Sequence, residues 1–304
     1  MSSKKIRVTD ITGRDGFQNI KEWIPTELKL QILDILVTAG VKKMEATSFV
    51  SPKAIPQMAD CKDIIAHMLA KHPQLELVAL APNMRGVQSA SESGVKEVNY
   101  IISVSEEHNM ANVRRTREES LADLAAITEA FPDMRINGSF PTVFGCPFSG
   151  EVPIKETLWL AGEAVKRGAC SVTLCDTIGV GNPRQVKAVV KAMREAFPKL
   201  PVTVHLHDTH GMGLANTIAA IEEGIDSFET AGGGLGGCPF APGAAGNTST
   251  EDMLNMLHRM GYETGINLEK YMEGVAIIKE KINPNITGRL ASARSYAEFN
   301  FFSS

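Results

Sequence analysis

Residues 171–183 read Ser-Val-Thr-Leu-Cys-Asp-Thr-Ile-Gly-Val-Gly-Asn-Pro and contain one complete connection from a strand to a helix. The first six residues form an apolar run with β-branched side chains, which predicts a buried strand. Two glycines then indicate a loop. Asn182 followed by Pro183 is typical of a helix start, with an N-cap residue and a proline at the first helical position. The stretch therefore predicts a strand, a short loop and a helix, in that order.

The same alternation extends in both directions along the chain. Eight short apolar runs predict strands, at about 6–12, 42–47, 76–81, 97–103, 135–141, 171–176, 202–207 and 227–231. Amphipathic segments with helix-start and helix-stop residues lie between them. Thr116 with Glu119, and Thr248 with Glu251, each have the spacing of a capping box. Residues 266–282 predict one more helix after the last strand.

Eight strands, each followed by a helix, predict an α/β fold of the (β/α)8 TIM-barrel class, and 304 residues suffice for a barrel of ~250 residues with additions. The competing architecture is a doubly wound open sheet. It is disfavoured because strand one is not followed by a glycine fingerprint and because no linker to a second domain is evident. We expect a catalytic barrel domain over 1–265 and a helical extension over 266–304 that packs on the barrel.

The composition excludes several classes of protein. With 43% hydrophobic and 22% charged residues, the chain has the composition of a soluble globular protein. No apolar run approaches the ~18 residues of a transmembrane helix. The net charge of −4 argues against general nucleic-acid binding. An odd number of cysteines, five, and a start without an apolar signal core predict a cytoplasmic protein without a disulfide framework.

The chemistry of a TIM barrel lies at the carboxyl ends of its strands. Strand seven ends in Val204-His205-Leu206-His207-Asp208, and residues two apart on a strand point to the same side. Two imidazoles at that spacing can bind one metal ion, although two histidines with satisfied hydrogen bonds are the alternative. Strand one ends in Thr12-Gly-Arg-Asp-Gly16, where Asp15 either adds a hard carboxylate ligand or forms an Asx turn.

The loop after strand eight, residues 232–247, is rich in glycine: seven of its sixteen residues are Gly, and it includes Cys238. Glycines let the backbone approach a ligand closely and let a loop move, so we expect this segment to contribute to the site rather than to be a generic flexible loop.

With these residues, the chain resembles the family of 3-hydroxy-3-methylglutaryl-CoA lyase, over roughly residues 5–270. The related isopropylmalate synthases differ at the Cys238 loop and carry long C-terminal regulatory domains. The resemblance rests on the following motifs: Arg14-Asp-Gly-Phe-Gln-Asn19, Glu45-Ala-Thr-Ser-Phe-Val-Ser-Pro52, Pro56-Gln-Met58, Ala81-Pro-Asn83, Gly145-Cys-Pro147, Asp176-Thr-Ile-Gly-Val-Gly181, His205-Leu-His-Asp208 and Gly234-Leu-Gly-Gly-Cys-Pro239 through Asn247.

The resemblance implies a divalent metal, Mg²⁺ or Mn²⁺, held by Asp15, His205, His207 and Asn247. It implies that Cys238 is the general acid.

Arg14, next to Asp15, stays charged at any working pH and can stabilise a developing enolate oxygen. Glu45 could orient Arg14, and Asp176 is expected close to the metal. Each of these two carboxylates either takes a catalytic part or serves as a structural cap. Cys146, in a second Gly-Cys-Pro-Phe sequence, is interpreted as a coincidental echo.

Substrate binding is expected from Arg14, Gln18, Asn19 and Lys21. Lys21, together with Lys53 and the basic run 114–117, could contact CoA phosphates or lie in solvent. Two positions depart from the family pattern and bear on the site: Asp10 stands where the family has Glu, and Ser139 where it has Tyr.

The resemblance implies a carbon–carbon lyase that cleaves 3-hydroxy-3-methylglutaryl-CoA, or a close homologue, to acetyl-CoA and a 3-oxo acid such as acetoacetate. The alternatives are an acyltransferase that condenses acetyl-CoA with a 2-oxo acid, and a non-catalytic CoA- or metal-binding module. The expected partner is a small CoA thioester, with no nucleic acid and no membrane, and a homodimer is the expected assembly.

Overall fold

Eight parallel strands close into a barrel in which each strand pairs with the next along the chain and the last pairs with the first. The computed structural model describes residues 4–237 and 246–293. The strands are β1 (Arg7–Asp10), β2 (Lys43–Ser48), β3 (Glu76–Leu80), β4 (Glu97–Ile101), β5 (Arg135–Phe140), β6 (Ser171–Asp176), β7 (Val202–Leu206) and β8 (Ser227–Thr230). The predicted TIM-barrel class is confirmed.

Helices cover the outside of the barrel. They are α1 (Thr26–Thr38), α2 (Cys61–Lys71), α3 (Met84–Glu92), α4 (Glu106–Val113), α5 (Arg117–Ala130), α6 (Ile154–Lys166), α7 (Pro183–Ala196), α8 (Gly213–Glu222), α9 (Thr250–Arg259) and α10 (Leu268–Lys281). The hydrophobic core lies between strands and helices, with fully buried side chains such as Leu36, Met44 and Ile65. None of the helices in the described ranges combines the length and apolar character needed to cross a membrane.

Two predicted helix starts are confirmed and one is wrong. Thr116 and Asn182 both cap their helices with a complete capping box. The box expected at Thr248 is displaced, because Ser249 caps α9 by accepting from the backbone N–H of Asp252. The Thr248 hydroxyl instead donates to the carbonyl of Leu206 at 3.0 Å, and so ties the end of the glycine loop to β7.

The connection after β4 contains a helix that the sequence analysis missed. The sequence analysis places no element between the fourth strand and the helix that begins after Thr116, but α4 lies there, capped by Ser105 and ended by Arg114 in the left-handed conformation at φ 58°. Its buried residues are the polar pair His108 and Asn109, which give no apolar periodicity.

The last helix is attached to the first strand. α10 packs on α1 so closely at Gly274 that a Cβ there would lie 2.8 Å from the Leu36 side chain. The Tyr271 hydroxyl donates to Asp10 Oδ2 at 2.5 Å, and Asp10 Oδ1 accepts from the backbone N–H of Thr12 at 3.0 Å. Asp10 therefore anchors α10 beneath the turn that follows β1.

The interior of the barrel is unusually polar. TIM barrels are normally filled by layers of branched apolar side chains. Here Asn99, Asn137, Thr173 and Glu229 line a cavity of about 250 Å³ that opens at the amino ends of the strands.

Candidate active site

The turn after β1 carries the first two site residues. Residues Thr12–Gly16 form a single wide helical turn, and all five are buried. Glycine is required at its second position, because a Cβ at Gly13 would lie 2.4 Å from the carbonyl oxygen of Ala46. This close approach to β2 places Arg14 and Asp15 at the carboxyl end of the barrel. The helical turn stands where an Asx turn at Asp15 was the alternative.

Two histidines face Asp15 from the end of β7. One potential ligand atom from each of Asp15, His205 and His207 can be chosen so that all three lie within 4.8 Å of one another, and all three residues are buried. His205 Nδ1 lies 3.0 Å from Glu229 Oε2. A carboxylate at that ring nitrogen fixes the imidazole orientation and leaves Nε2 as the potential ligand atom.

Asn247 completes the group. Both hydrogens of its Nδ2 are used, in donation to Asp15 Oδ2 at 2.6 Å and to the Leu235 carbonyl at 2.8 Å. Within the described part of the chain, Asn247 Oδ1 and His207 Nδ1 are buried without a hydrogen-bond partner. Buried polar atoms without partners call for a missing ligand. Carboxylate, carboxamide and imidazole donors together fit a divalent cation.

Two of the candidate ligands, Asp15 and His207, have the protonation state in which they can bind a cation. Burial acts to raise the pKa of Asp15, but Arg14 and His205 outweigh it, so its pKa lies below the ordinary value and the carboxylate stays ionised. Burial, followed by the proximity of His205, lowers the pKa of His207 to about 4. His207 is therefore neutral at physiological pH, which is the form that binds a metal.

Arg14 is held between two carboxylates. Its guanidinium donates to Asp15 and, through Nε, to Glu45, which is fully buried in the middle of β2 rather than at its end. Burial acts to lower the pKa of Arg14, but Glu45 and Asp15 raise it above the ordinary value, so the group remains a cation. The geometry matches the orienting contact expected of Glu45.

Asp176, the last residue of β6, is bonded to the backbone of the loop that follows it, and His205 lies near enough to act on its charge. Its carboxylate accepts backbone N–H bonds from Val180 at 3.1 Å and Gly181 at 2.9 Å, and so closes the loop after β6. Burial raises its pKa to about 6. Because backbone donors occupy the carboxylate, this arrangement favours the structural-cap alternative. The same loop carries Thr177, which lines the pocket described below.

A pocket of about 440 Å³ opens above the cluster. Gln18 and Asn19 line it, whereas Lys21 is exposed and does not belong to the described wall. Gln18 donates to Asp15 Oδ1 at 2.7 Å, and Asn19 donates to the Gly237 carbonyl at 2.8 Å. Gln18 therefore contacts the cluster, and Asn19 the start of the glycine loop.

The basic residues divide between the pocket and the surface. Arg115 lines the pocket and pairs with Asp123 at 2.5 Å, whereas Arg117 pairs with Glu106 and Glu156. Lys53 is exposed.

Ser139 and Cys175 line the pocket from β5 and β6, with Oγ and Sγ 3.4 Å apart. Cys238, expected to be the general acid, lies outside the described residues. The sequence analysis missed Glu229 and the polar residues around it. The sequence signal that could have identified them is the presence of polar side chains at inward-facing positions of otherwise apolar strands.

The comparisons with known proteins identify the family of this chain. The HMGL-like family model matches residues 5–278. The mitochondrial hydroxymethylglutaryl-CoA lyase of Mus musculus is 37% identical over 95% of this chain and 90% of its own length. The 3-hydroxy-3-isohexenylglutaryl-CoA/hydroxymethylglutaryl-CoA lyase of Pseudomonas aeruginosa is 37% identical over 89% of this chain and 90% of its own.

A solved structure of a hydroxymethylglutaryl-CoA lyase has the same fold as this chain. The HMG-CoA lyase from Acinetobacter baumannii, in complex with coenzyme A and 3-methylmalate, superposes with a TM-score of 0.93 at 37% identity, covering 98% of each chain. These similarities confirm the resemblance found in the sequence. The chain belongs to the HMGL-like family, that of the hydroxymethylglutaryl-CoA lyases.

Proposed function

We propose that this protein is a divalent-metal-dependent carbon–carbon lyase that cleaves 3-hydroxy-3-methylglutaryl-CoA, or a close 3-hydroxyacyl-CoA homologue, to acetyl-CoA and acetoacetate. The observation that carries the proposal is the buried group of Asp15, His205 and His207 at the floor of an open pocket, with Arg14 against it. A relative of the same fold is solved with coenzyme A bound, which supports a CoA thioester as substrate.

Mg²⁺ or Mn²⁺ would be held by Asp15, His205, His207 and Asn247. The donor set is rich in oxygen and imidazole, which suits these ions. When bound, the cation lowers the pKa of the hydroxyl group on the substrate's C3.

The chain's own residues stabilise the leaving carbon. When the C3 hydroxyl loses its proton to solvent in the open pocket, C3 becomes the carbonyl of the 3-oxo acid, the C2–C3 bond breaks, and its electron pair moves onto the thioester oxygen as an enolate. The Arg14 guanidinium can donate to that oxygen, and its contacts with Glu45 and Asp15 hold it in place before the reaction. A charged donor that is already oriented stabilises a developing oxyanion without a reorganisation cost.

The enolate then takes a proton to become acetyl-CoA. We assign this proton to the thiol of Cys238, which follows Gly237 at the pocket wall. We assign Asp176 to holding the loop that presents Thr177, since backbone donors occupy its carboxylate.

One assay separates the lyase from the acyltransferase alternative. With Mg²⁺ or Mn²⁺, the lyase releases acetyl-CoA from 3-hydroxy-3-methylglutaryl-CoA, whereas an acyltransferase releases free thiol from acetyl-CoA and a 2-oxo acid. A panel of 3-hydroxyacyl-CoA thioesters with longer C3 substituents identifies the preferred homologue. Absence of acetyl-CoA release from every thioester would reject the lyase.

Three further assignments complete the proposal. We assign residues 1–265 to a barrel domain and residues 266–304 to a helical extension, of which 294–304 lie outside the described residues; α10 of this extension packs on α1. It assembles as a homodimer, which light scattering of the purified protein tests. It resides in the cytoplasm, which is consistent with the free thiols of the four described cysteines.

A further inference from the structure

Two buried glutamates each form a hydrogen bond with one side chain of the candidate site, from the interior of the barrel. Glu45 on β2 contacts Arg14, and Glu229 on β8 contacts His205. Both glutamates are almost completely buried, at 0% and 5% exposure. The angles at which Arg14 and His205 meet the substrate and the cation therefore depend on what fixes these two carboxylates.

A hydrogen-bonded chain connects the two glutamates across the barrel interior, and Asn137 lies at its centre. Asn137 Nδ2 donates to Asn99 Oδ1 at 2.8 Å and to Thr173 Oγ1 at 2.9 Å. On one side, Asn99 Nδ2 donates to Glu45 Oε1 at 2.7 Å. On the other side, the Thr173 hydroxyl donates to Glu229 Oε1 at 3.3 Å. Each arm thus ends on the carboxylate oxygen that faces away from the functional side chain.

The directions of these bonds are fixed by the donor inventory. The amide nitrogen of Asn137 has two hydrogens, one for each arm, while its Oδ1 accepts from Ser171 Oγ at 2.7 Å. The Thr173 hydroxyl has a single hydrogen, and because its oxygen accepts from Asn137, that hydrogen is left for Glu229. Both carboxylates receive donors from both sides, so neither rotates without leaving a buried polar group unpaired.

Close packing of side chains cannot hold these hydrogen-bonded residues in place, because they border a cavity. Asn99, Asn137, Thr173 and Glu229 border the cavity of about 250 Å³ at the amino end of the barrel. A close-packed apolar layer, which rigidifies the interior of other TIM barrels, is replaced there by open space. Hydrogen bonds must therefore hold these four side chains rigid.

We propose that Asn137 is a positioning residue that sets Arg14 through Asn99 and Glu45, and His205 through Thr173 and Glu229. The Arg14 arm tunes catalysis and rests on the proposed function. The His205 arm tunes cation affinity and does not depend on the identity of the substrate.

Single-arm substitutions separate the two effects. Thr173→Val keeps the side-chain shape and removes the hydroxyl, and Asn99→Leu does the same for the carboxamide. Thr203→Val is the matched control. Thr203 lies on β7, the strand that carries His205, but its hydroxyl contacts Ser227 at 3.0 Å and takes no part in the bonds around Asn137. Mn²⁺ affinity is measured by titration calorimetry on substrate-free protein, and kcat and KM are measured with 3-hydroxy-3-methylglutaryl-CoA at saturating Mn²⁺.

We expect Thr173→Val to weaken Mn²⁺ binding about tenfold while kcat at saturating Mn²⁺ changes less than about twofold. We expect Asn99→Leu to lower kcat about tenfold and to leave the Mn²⁺ Kd unchanged. Asn137→Leu should show both losses, and Thr203→Val neither. If Asn137→Leu fails to fold, the two single-arm variants decide the question.

Equal Mn²⁺ affinity in Thr173→Val and Thr203→Val would overturn the His205 arm. Equal losses of metal affinity and kcat in both single-arm variants would show general loosening of the barrel and overturn the proposal. If the wild-type protein binds Mn²⁺ but cleaves no thioester, the proposed function fails, whereas the comparison of Mn²⁺ affinities still tests the His205 arm.

Discussion

Asn247 Nδ2 lies 2.6 Å from Asp15 Oδ2, and this hydrogen bond joins two residues that are 232 positions apart in the chain. It ties the end of the glycine loop to the turn after β1. Gly236 makes the approach possible, because it has φ 112° and a Cβ there would lie 2.3 Å from Asn247 Nδ2. The carboxamide oxygen of Asn247 is buried and has no hydrogen-bond partner among the described residues.

Asn247→Asp should convert this attraction into repulsion. Two buried carboxylates would face each other, and without a cation the variant should lose about 1–3 kcal/mol of stability relative to the wild type. A divalent cation would neutralise the pair, so Mn²⁺ should raise the Tm of the variant more than that of the wild type. Thermal unfolding in chelator and in Mn²⁺ measures both. Equal Mn²⁺-induced shifts for the two proteins would remove Asn247 from the cation site.

His205→Ala should weaken Mn²⁺ binding by more than about 100-fold, beyond the range typical of residues that only support a ligand. His210→Ala is the matched control, because His210 follows on the same connection but its Nδ1 contacts the Gly179 carbonyl at 2.8 Å. Titration calorimetry with Mn²⁺ compares the two. Full affinity in His205→Ala would contradict the proposed ligand set.

The barrel could be predicted from the sequence because its signals are local. Short apolar runs and capping residues such as Thr116 and Asn182 mark strands and helix starts without knowledge of their neighbours. The α4 helix gave no such signal, since it buries His108 and Asn109 instead of an apolar stripe. The cap of α9 was misplaced by one residue because Thr248 and Ser249 are both capping residues, and only tertiary contact with Leu206 decides between them.

The site was predictable in part for the same reason. His205 and His207 share a face by strand geometry, and barrel topology brings them to the end where β1 also terminates. The role of Asn137 could not be predicted, because it depends on contacts between side chains from three different strands. The position of Asp176 likewise depended on whether its carboxylate turns toward the pocket or toward its own loop.

Cys238→Ala should lower kcat by at least about 100-fold, the contribution typical of general acid catalysis, and leave the Mn²⁺ Kd nearly unchanged. Cys146→Ala is the control, since it has the same Gly-Cys-Pro-Phe context but its thiol bonds to Ser105 at 3.1 Å inside the protein. Steady-state acetyl-CoA release with both variants measures the effect. An unchanged rate in Cys238→Ala would remove the thiol from the mechanism.

Ser139→Tyr should narrow the range of substrates. Ser139 lines the pocket and its Oγ is 3.4 Å from Cys175 Sγ, so a phenol ring there would occupy pocket volume next to the cluster. We expect kcat/KM to fall at least about tenfold for thioesters with long C3 substituents and less for the methyl substrate. Ser227→Ala, at the amino end of β8, controls for loss of a hydroxyl, because its hydroxyl contacts Thr203 at 3.0 Å and takes no part in the bonds around Asn137. A uniform fall for all thioesters would place the acyl group elsewhere.

Glu251→Gln should flatten the dependence of stability on pH. Glu251 accepts from the backbone N–H of Gly233 at 3.0 Å, and its other oxygen is buried without a partner in the described structure. Burial raises its pKa from an ordinary value of 4.5 to about 7. The folded state thus favours the protonated form, and this contribution to stability is fully present below pH 4.5 and is lost as the pH rises through about 7.

Between about pH 5 and about pH 8, the wild type should therefore lose more stability than Glu251→Gln, by an amount on the order of 3 kcal/mol. Glutamine stays neutral over this range and can still accept from Gly233. Urea unfolding at both pH values gives the free energies, with Glu269→Gln, an exposed glutamate on α10, as the control that should follow the wild type. If the wild type and Glu251→Gln lose equal stability, the Glu251 carboxyl does not titrate in this range, and its contact with Gly233 would have to form with the charged group.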